Sequence, residues 1–168
     1  MRILTVRQPW AHAIIYLGKD VENRVRNIAG NYRGPVAIHV AKAVPRVEDI
    51  AAVESHLMQR HGLDWAAHMA FTDPTRGHII GVVELVDVHS ASVIAGCGRM
   101  DNHCEEHPNG CRHHCSPWAM GPSAEGWYQH LVLANPRPLS VPIPFKGALG
   151  LRHLDEATIA RIEAQHAS

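Results

Sequence analysis

The chain has 168 residues, 46% of them hydrophobic, and its 16 basic and 16 acidic side chains cancel. With 13 glycines and 11 prolines, that balance excludes a disordered or fibrous chain and fits one loop-rich domain with a core of its own. The neutral total is unevenly spread: Arg2, Arg7, Lys19, Arg24, Arg26, Arg33, Lys42 and Arg46 face only Asp20 and Glu22 within residues 1–46. Such a bias suits an anionic ligand, or an ordinary solvated face.

In chain order, Thr5 and Val6 close a first strand, and Pro9 opens a helix because proline suits a first helical turn. Trp10, Ile14 and Leu17 share one face of that helix, and Gly18 ends it, which fixes the position of Lys19. Asp20 to Val25 alternates, so Glu22 and Arg24 point the same way, opposite Val21, Asn23 and Val25. Pro35 to Ala41 alternates again as a half-buried strand with His39 opposite Val36, Ile38 and Val40. A helix is expected over Val47 to His61, stopped by Gly62.

Gly77 to Val88 is β-rich and places Glu84 in line with Ile80, Val82, Val86 and Val88. A carboxylate in that company needs a partner: Arg24 or Lys42 is the expected one, with a general acid or base as the alternative role. Residues 96–126 lose all periodicity and read as an inserted loop. Strand character returns at Trp127 to Leu133, followed by proline-rich extended connections at 135–138 and 141–144, a closing strand at Ala148 to Leu151, and a tail helix capped by Asp155. Short strands with two or three helices argue for a small mixed barrel and against a doubly wound sheet.

Arg7, Gln8 and Pro9 break the N-terminal stretch before an apolar signal core forms, and Glu84 interrupts the longest apolar run. Neither an export signal nor a membrane span is therefore expected, and the chain is placed in the cytoplasm.

Three stretches together resemble the ASCH (activating signal cointegrator homology) domain: Leu4-Thr5-Val6-Arg7-Gln8-Pro9-Trp10, then Gly18-Lys19-Asp20-Val21-Glu22-Asn23-Arg24, then Tyr32-Arg33-Gly34 running into Ile38-His39-Val40-Ala41-Lys42. Asn135-Pro136-Arg137-Pro138-Leu139 and Pro142 to Leu151 are similar to the closing segment of the same family. The resemblance implies an α+β fold, a small PUA-like mixed β-barrel with attached helices over residues 1–154, carrying the Cys/His-rich loop at 96–126 and followed by a tail helix at 155–168. It also implies a cleft for RNA or a nucleotide, bordered by Gln8, Trp10, Lys19, Glu22, Arg24, His39, Lys42 and Glu84.

The chemistry of those residues is compatible with that guest. Lys19 and Arg24 offer charged donors to phosphate, Glu22 accepts from a base amino group, and Trp10 offers a stacking face. Some ASCH-like proteins are amidohydrolases on acylated cytidine and others are linked to RNA cleavage, so the alternative is a small hydrolase with Lys19 and Glu22 as catalytic groups. In the amidohydrolase group a threonine lies three residues past the lysine. Glu22 stands there in this chain, so the hydroxyl nucleophile is missing. An aromatic frequent after the Glu-Asn-Arg motif is likewise replaced by Val25-Arg26.

All four cysteines, Cys97, Cys104, Cys111 and Cys115, fall in the inserted loop beside His103, His107, His113 and His114. In a reducing compartment such a cluster reads as a structural zinc site, with two disulfides or free thiols as the alternatives. The expected ligands are the four cysteines, or three of them with His103, His107 or His114. No Cys-x-x-Cys pair occurs, and no phosphate-binding glycine loop, His-Glu-x-x-His pair or Gly-x-Ser-x-Gly elbow is present.

Overall fold

The structure, a computed structural model, describes residues 1–60, 73–90, 97, 100–101, 111–112, 115–120 and 128–167. The described strands are β1 (Arg2–Val6), β2 (Val21–Arg24), β3 (Gly34–Val40), β4 (His78–Ser90), β5 (Met100–Asp101), β6 (Cys111–Arg112), β7 (Gln129–Pro144) and β8 (Leu151–His153). The described helices are α1 (Trp10–Tyr16), α2 (Val47–Arg60) and α3 (Glu156–His166). Six strands form a mixed sheet in the order β2-β7-β4-β3-β1-β8, while β5 and β6 pair separately. The α+β fold with attached helices is the one expected. Among the described residues, no helix is long and apolar enough to cross a membrane.

The chain divides into two compact units: Met1–Lys19, Gly34–Glu84 and Asn135–Ser168 form the first, and Asp20–Arg33 with Leu85–Ala134 the second. In the first unit β1 runs parallel to β3, with Leu4 opposite Ile38, and antiparallel to β8. Val36 to Val40 are all buried, so β3 is covered on both faces and not half-buried as its alternation suggested. Ile3, Ala37, Ile79, Val82, Leu139 and Ile143 pack with Leu154 and Ile162, which tie α3 to the sheet. Asp155 caps α3 by accepting from the Thr158 amide at 2.8 Å.

Helix α1 settles on this sheet because Gly81 has no side chain. A Cβ there would stand 2.7 Å from Ile15 Cδ1 and 2.8 Å from the Arg137 carbonyl oxygen. The buried residues of α1 are Ala11, Ala13, Ile14 and Ile15; of the expected stripe of Trp10, Ile14 and Leu17, only Ile14 is fully covered. Small alanines let the helix approach closely, which moves the buried face by part of a turn. Gly18, at φ +71°, lets the Leu17 and Lys19 amides both donate to the Ala13 carbonyl at 3.0 Å, a left-handed stop that fixes Lys19 as expected.

In the second unit β2 is antiparallel to the start of β7, with Asn23 opposite His130 and Glu22 opposite Leu131. The segment read as a strand followed by proline-rich connections is one strand of 16 residues. Pro136, Pro138, Pro142 and Pro144 recur at even positions, so the missing amide donors fall on the same side of the strand and a ladder remains available on the other. Asn135, with φ +50°, marks the point where β7 passes from one unit to the other.

Candidate functional site

The eight residues expected around a nucleotide are shared between the two units. Gln8, Trp10, Lys19, His39, Lys42 and Glu84 belong to the first, and Glu22 and Arg24 to the second.

In the first unit, Lys19 is buried and its Nζ lies 5.3 Å from the centroid of the Trp10 ring, a cation–π distance. Trp10 is half-buried. Gln8 is buried in a polar network: its Nε2 donates to Asp73 Oδ2, and its Oε1 accepts from the His12 amide at 3.1 Å. Asp73 Oδ1 in turn accepts from the Thr75 amide at 2.8 Å and the Thr75 hydroxyl at 2.6 Å. The His12 and Tyr16 rings stack beside this network with centroids 4.4 Å apart. Burial lowers the His12 pKa to about 4, against the opposing pull of Asp73, and burial followed by Asp73 raises that of Tyr16.

His39 is buried at 1% exposure, and its Nε2 donates to the Phe145 carbonyl at 3.1 Å. Its Nδ1 is shut from water with no hydrogen-bond partner, under Gly147, where a Cβ would come within 2.8 Å of it. Withdrawal from water lowers its pKa. Lys42 is exposed and lays its stem along Gly77, where a Cβ would stand 2.9 Å from Lys42 Cε. Glu84 pairs with Arg137 at 3.8 Å. The expected partners, Arg24 and Lys42, are corrected by that contact, because residue 137 belongs to the strand that the proline-rich stretch was not expected to form.

In the second unit, Glu22 and Arg24 point the same way, as their spacing requires, and join in an ion pair at 3.0 Å. Glu22 is buried and Arg24 half-buried.

A second constellation lies wholly in this unit. One ligand atom from each of His89, Cys97, Cys115 and His130 falls within 4.8 Å of every other. The His130 Nδ1 lies 3.2 Å from Cys97 Sγ and 3.4 Å from Cys115 Sγ. The Cys115 amide donates to Cys97 Sγ at 3.2 Å, and neither cysteine is in a disulfide. Partial withdrawal from water, then the neighbouring Cys97 thiol, pushes the Cys115 thiol up to about 12.

The outer contacts fix the two rings. His130 is fully buried and its Nε2 lies 3.0 Å from the Met120 carbonyl; a carbonyl only accepts, so Nε2 carries the proton and Nδ1 presents a lone pair. His89 Nδ1 lies 2.9 Å from Asp87 Oδ2, and this bond is the first cause holding the Asp87 carboxyl below the usual range. The proton then sits on Nδ1 of His89. Its Nε2 is buried without a hydrogen-bond partner.

Of the cysteines expected to bind metal, the structure thus joins Cys97 and Cys115. Cys111 is described only as part of β6, and Cys104, His103, His107 and His114 lie outside the described residues. His89 and His130 were missed because they lie in strands flanking the irregular loop. Asp87 and His89, two apart on a strand and so on one face, were a legible sign of an oriented imidazole.

Among solved structures, the chain is similar to an ASCH protein from Zymomonas mobilis, with 12% identity, 97% of this chain and 93% of that one covered, and a TM-score of 0.52. It is similar to a point mutant of the Zymomonas protein at 13% identity, with 97% and 96% covered and a TM-score of 0.53. No family model and no curated protein sequence matches the chain.

Proposed function

We propose, from the premise that the chain has an ASCH-like fold, that it binds single-stranded RNA or a nucleotide through Trp10 and Lys19. The observation that carries this reading is the Lys19 ammonium held 5.3 Å from the Trp10 ring by a helix stop at Gly18. An aromatic ring with a fixed cation beside it takes a base by stacking and a phosphate by charge. Arg24 adds a second cation from its own unit, and RNA of several nucleotides offers phosphates to both without a shared pocket. The basic bias of residues 1–46 supports the same partner class.

The reading includes a structural zinc ion in the second unit, in a reducing, cytoplasmic setting where thiols stay available to metal. It does not include hydrolysis, since the hydroxyl nucleophile of the amidohydrolase pattern is missing, with Glu22 in its place.

The test is titration of short single-stranded RNAs at several salt concentrations with wild type, Trp10→Ala, Lys19→Gln and Arg24→Gln. Loss of a stacking ring is expected to weaken binding by about 1–3 kcal/mol per stacked base. Each lost phosphate contact lowers the salt slope by about 0.7. Binding indifferent to Trp10 and Lys19 in variants that still unfold cooperatively would remove the reading.

A further inference from the structure

We infer that the second unit holds a closed, four-coordinate zinc ion through His89 Nε2, His130 Nδ1, Cys97 Sγ and Cys115 Sγ, so that β4, β7 and the inserted loop are pinned at one point. The inference rests on the zinc reading above and names its ligands, which differ from the four-cysteine set that the loop suggests.

The first argument is proton accounting. The Met120 carbonyl obliges His130 to protonate Nε2, so its Nδ1 offers one lone pair, and two sulfurs lie within 3.4 Å of it. One lone pair accepts one S–H, and the second thiol is left with only the other sulfur, a weak acceptor. Asp87 likewise obliges His89 to protonate Nδ1, and the Nε2 lone pair is buried with no hydrogen-bond donor. Four electron-pair donors therefore converge with weak sulfur hydrogen bonds between them and the His89 lone pair unmet, a cost that a single cation removes.

The second argument is size. With zinc–nitrogen and zinc–sulfur bonds of about 2.05 and 2.3 Å, the nitrogen–sulfur edge of a tetrahedron is about 3.6 Å. The two observed N···S separations, 3.2 and 3.4 Å, fall within a few tenths of an ångström of that edge. Two thiolates and two neutral imidazoles are a donor set zinc takes in structural sites, and four protein ligands leave no position for substrate or water.

The third is the outer shell. A carboxylate behind one imidazole, a backbone carbonyl behind the other and an amide donating to a sulfur are the supports that orient metal ligands. Here they are Asp87, Met120 and the Cys115 amide. These supports lead directly to β2. The Ser116 hydroxyl donates to Asp20, and Asn23 donates to the Trp118 carbonyl at 3.0 Å while accepting from the Met120 amide at 2.9 Å. Residues 115–120 thus run from one metal ligand to the strand that carries Glu22 and Arg24.

The test uses the full chain, purified without a histidine tag, with elemental analysis and cobalt(II) titration. One zinc per chain is expected, replaceable by cobalt with the intense visible bands of a tetrahedral site and thiolate charge transfer. Cys97→Ser and His89→Ala should abolish those bands, whereas Cys104→Ser and Cys111→Ser should retain them. Asp87→Asn should keep the spectrum and weaken affinity by about 10–100-fold; His89 and Asp87 lie near the surface, so these variants stay informative should His130→Ala not fold. Zinc retained in His89→Ala but lost in Cys104→Ser or Cys111→Ser would overturn the ligand set and leave the zinc reading standing. Absence of metal, with a Cys97–Cys115 disulfide by mass, would overturn both.

Discussion

The two units reach order by different means. The first buries an apolar set that includes Ile3, Leu4, Val36, Ala37, Ile38, Val40, Ile79, Val82, Ile143 and Ile162. Among the described residues of the second, the buried apolar side chains are Val21, Ala29, Leu85, Trp118, Leu131 and Leu133. Around them stand Asp20, Asn23, Ser116, His130 and two cysteines joined by polar contacts. Apolar burial stabilises by about 25 cal/mol per Å², and among the described residues fewer side chains of the second unit supply it than of the first. The comparison teaches that the apolar packing of the first unit and the Cys/His cluster of the second are separate features, and the zinc reading assigns the second unit's order to that cluster.

The largest expected effect separates the halves directly. Structural zinc contributes apparent binding energies of about 10–16 kcal/mol in small peptides, which becomes folding energy where no site exists in the unfolded chain. On the zinc reading, a strong chelator at neutral pH should speed amide exchange in β2 and in residues 129–134 of β7 by about 100-fold or more, while amides of β1 and β3 keep their protection. Exchange that accelerates equally in all four strands would show that the halves do not differ in this way.

A smaller effect probes the apolar half alone. Gly81→Ala places a methyl 2.7 Å from Ile15 Cδ1 and 2.8 Å from the Arg137 carbonyl oxygen, and the backbone oxygen cannot rotate aside. Overpacking of this kind costs about 1–3 kcal/mol. Urea unfolding should show the loss with the cobalt spectrum of the second unit unchanged. A Gly81→Ala variant as stable as wild type would mean that α1 shifts freely on the sheet.

The legibility of the sequence follows the same division. Alternation in Pro35–Ala41 and the long run at Gly77–Val88 announced β3 and β4 because apolar burial leaves a period. Gly18 announced the end of α1 because a left-handed stop has a residue preference. Burial of β3 on both faces was not legible, since His39 reads as a polar face until the Phe145 carbonyl and Gly147 are folded over it. The Cys/His cluster was half legible: Cys97 and Cys115 stood out by composition, but His89 and His130 lie in strands outside the irregular loop and carry no compositional signal. Glu84 found Arg137 for the same reason, because pairing across a sheet has no local signature.

The smallest effect sharpens the contrast by pH. His12 belongs to the apolar half, and burial lowers its pKa from 6.5 to about 4, with Asp73 pulling the other way and the Tyr16 ring stacked on it. Above pH 6.5 the ring is neutral in both the folded and the unfolded chain, and its burial costs nothing in protonation. Between pH 6.5 and about 4 the unfolded chain takes up a proton that the folded one refuses, so stability falls as the solution is acidified, and below that window both forms are charged and the loss stops growing. The full shift would correspond to about 3 kcal/mol, but the ring is partly exposed and solvent screening reduces the expectation to about 1–2 kcal/mol. His12→Gln keeps the amide that donates to Gln8 and removes the titration. Urea unfolding at about pH 7 and pH 4 should therefore show a smaller acid loss for the variant than for wild type by that amount. Parallel losses would assign the acid sensitivity to groups other than His12.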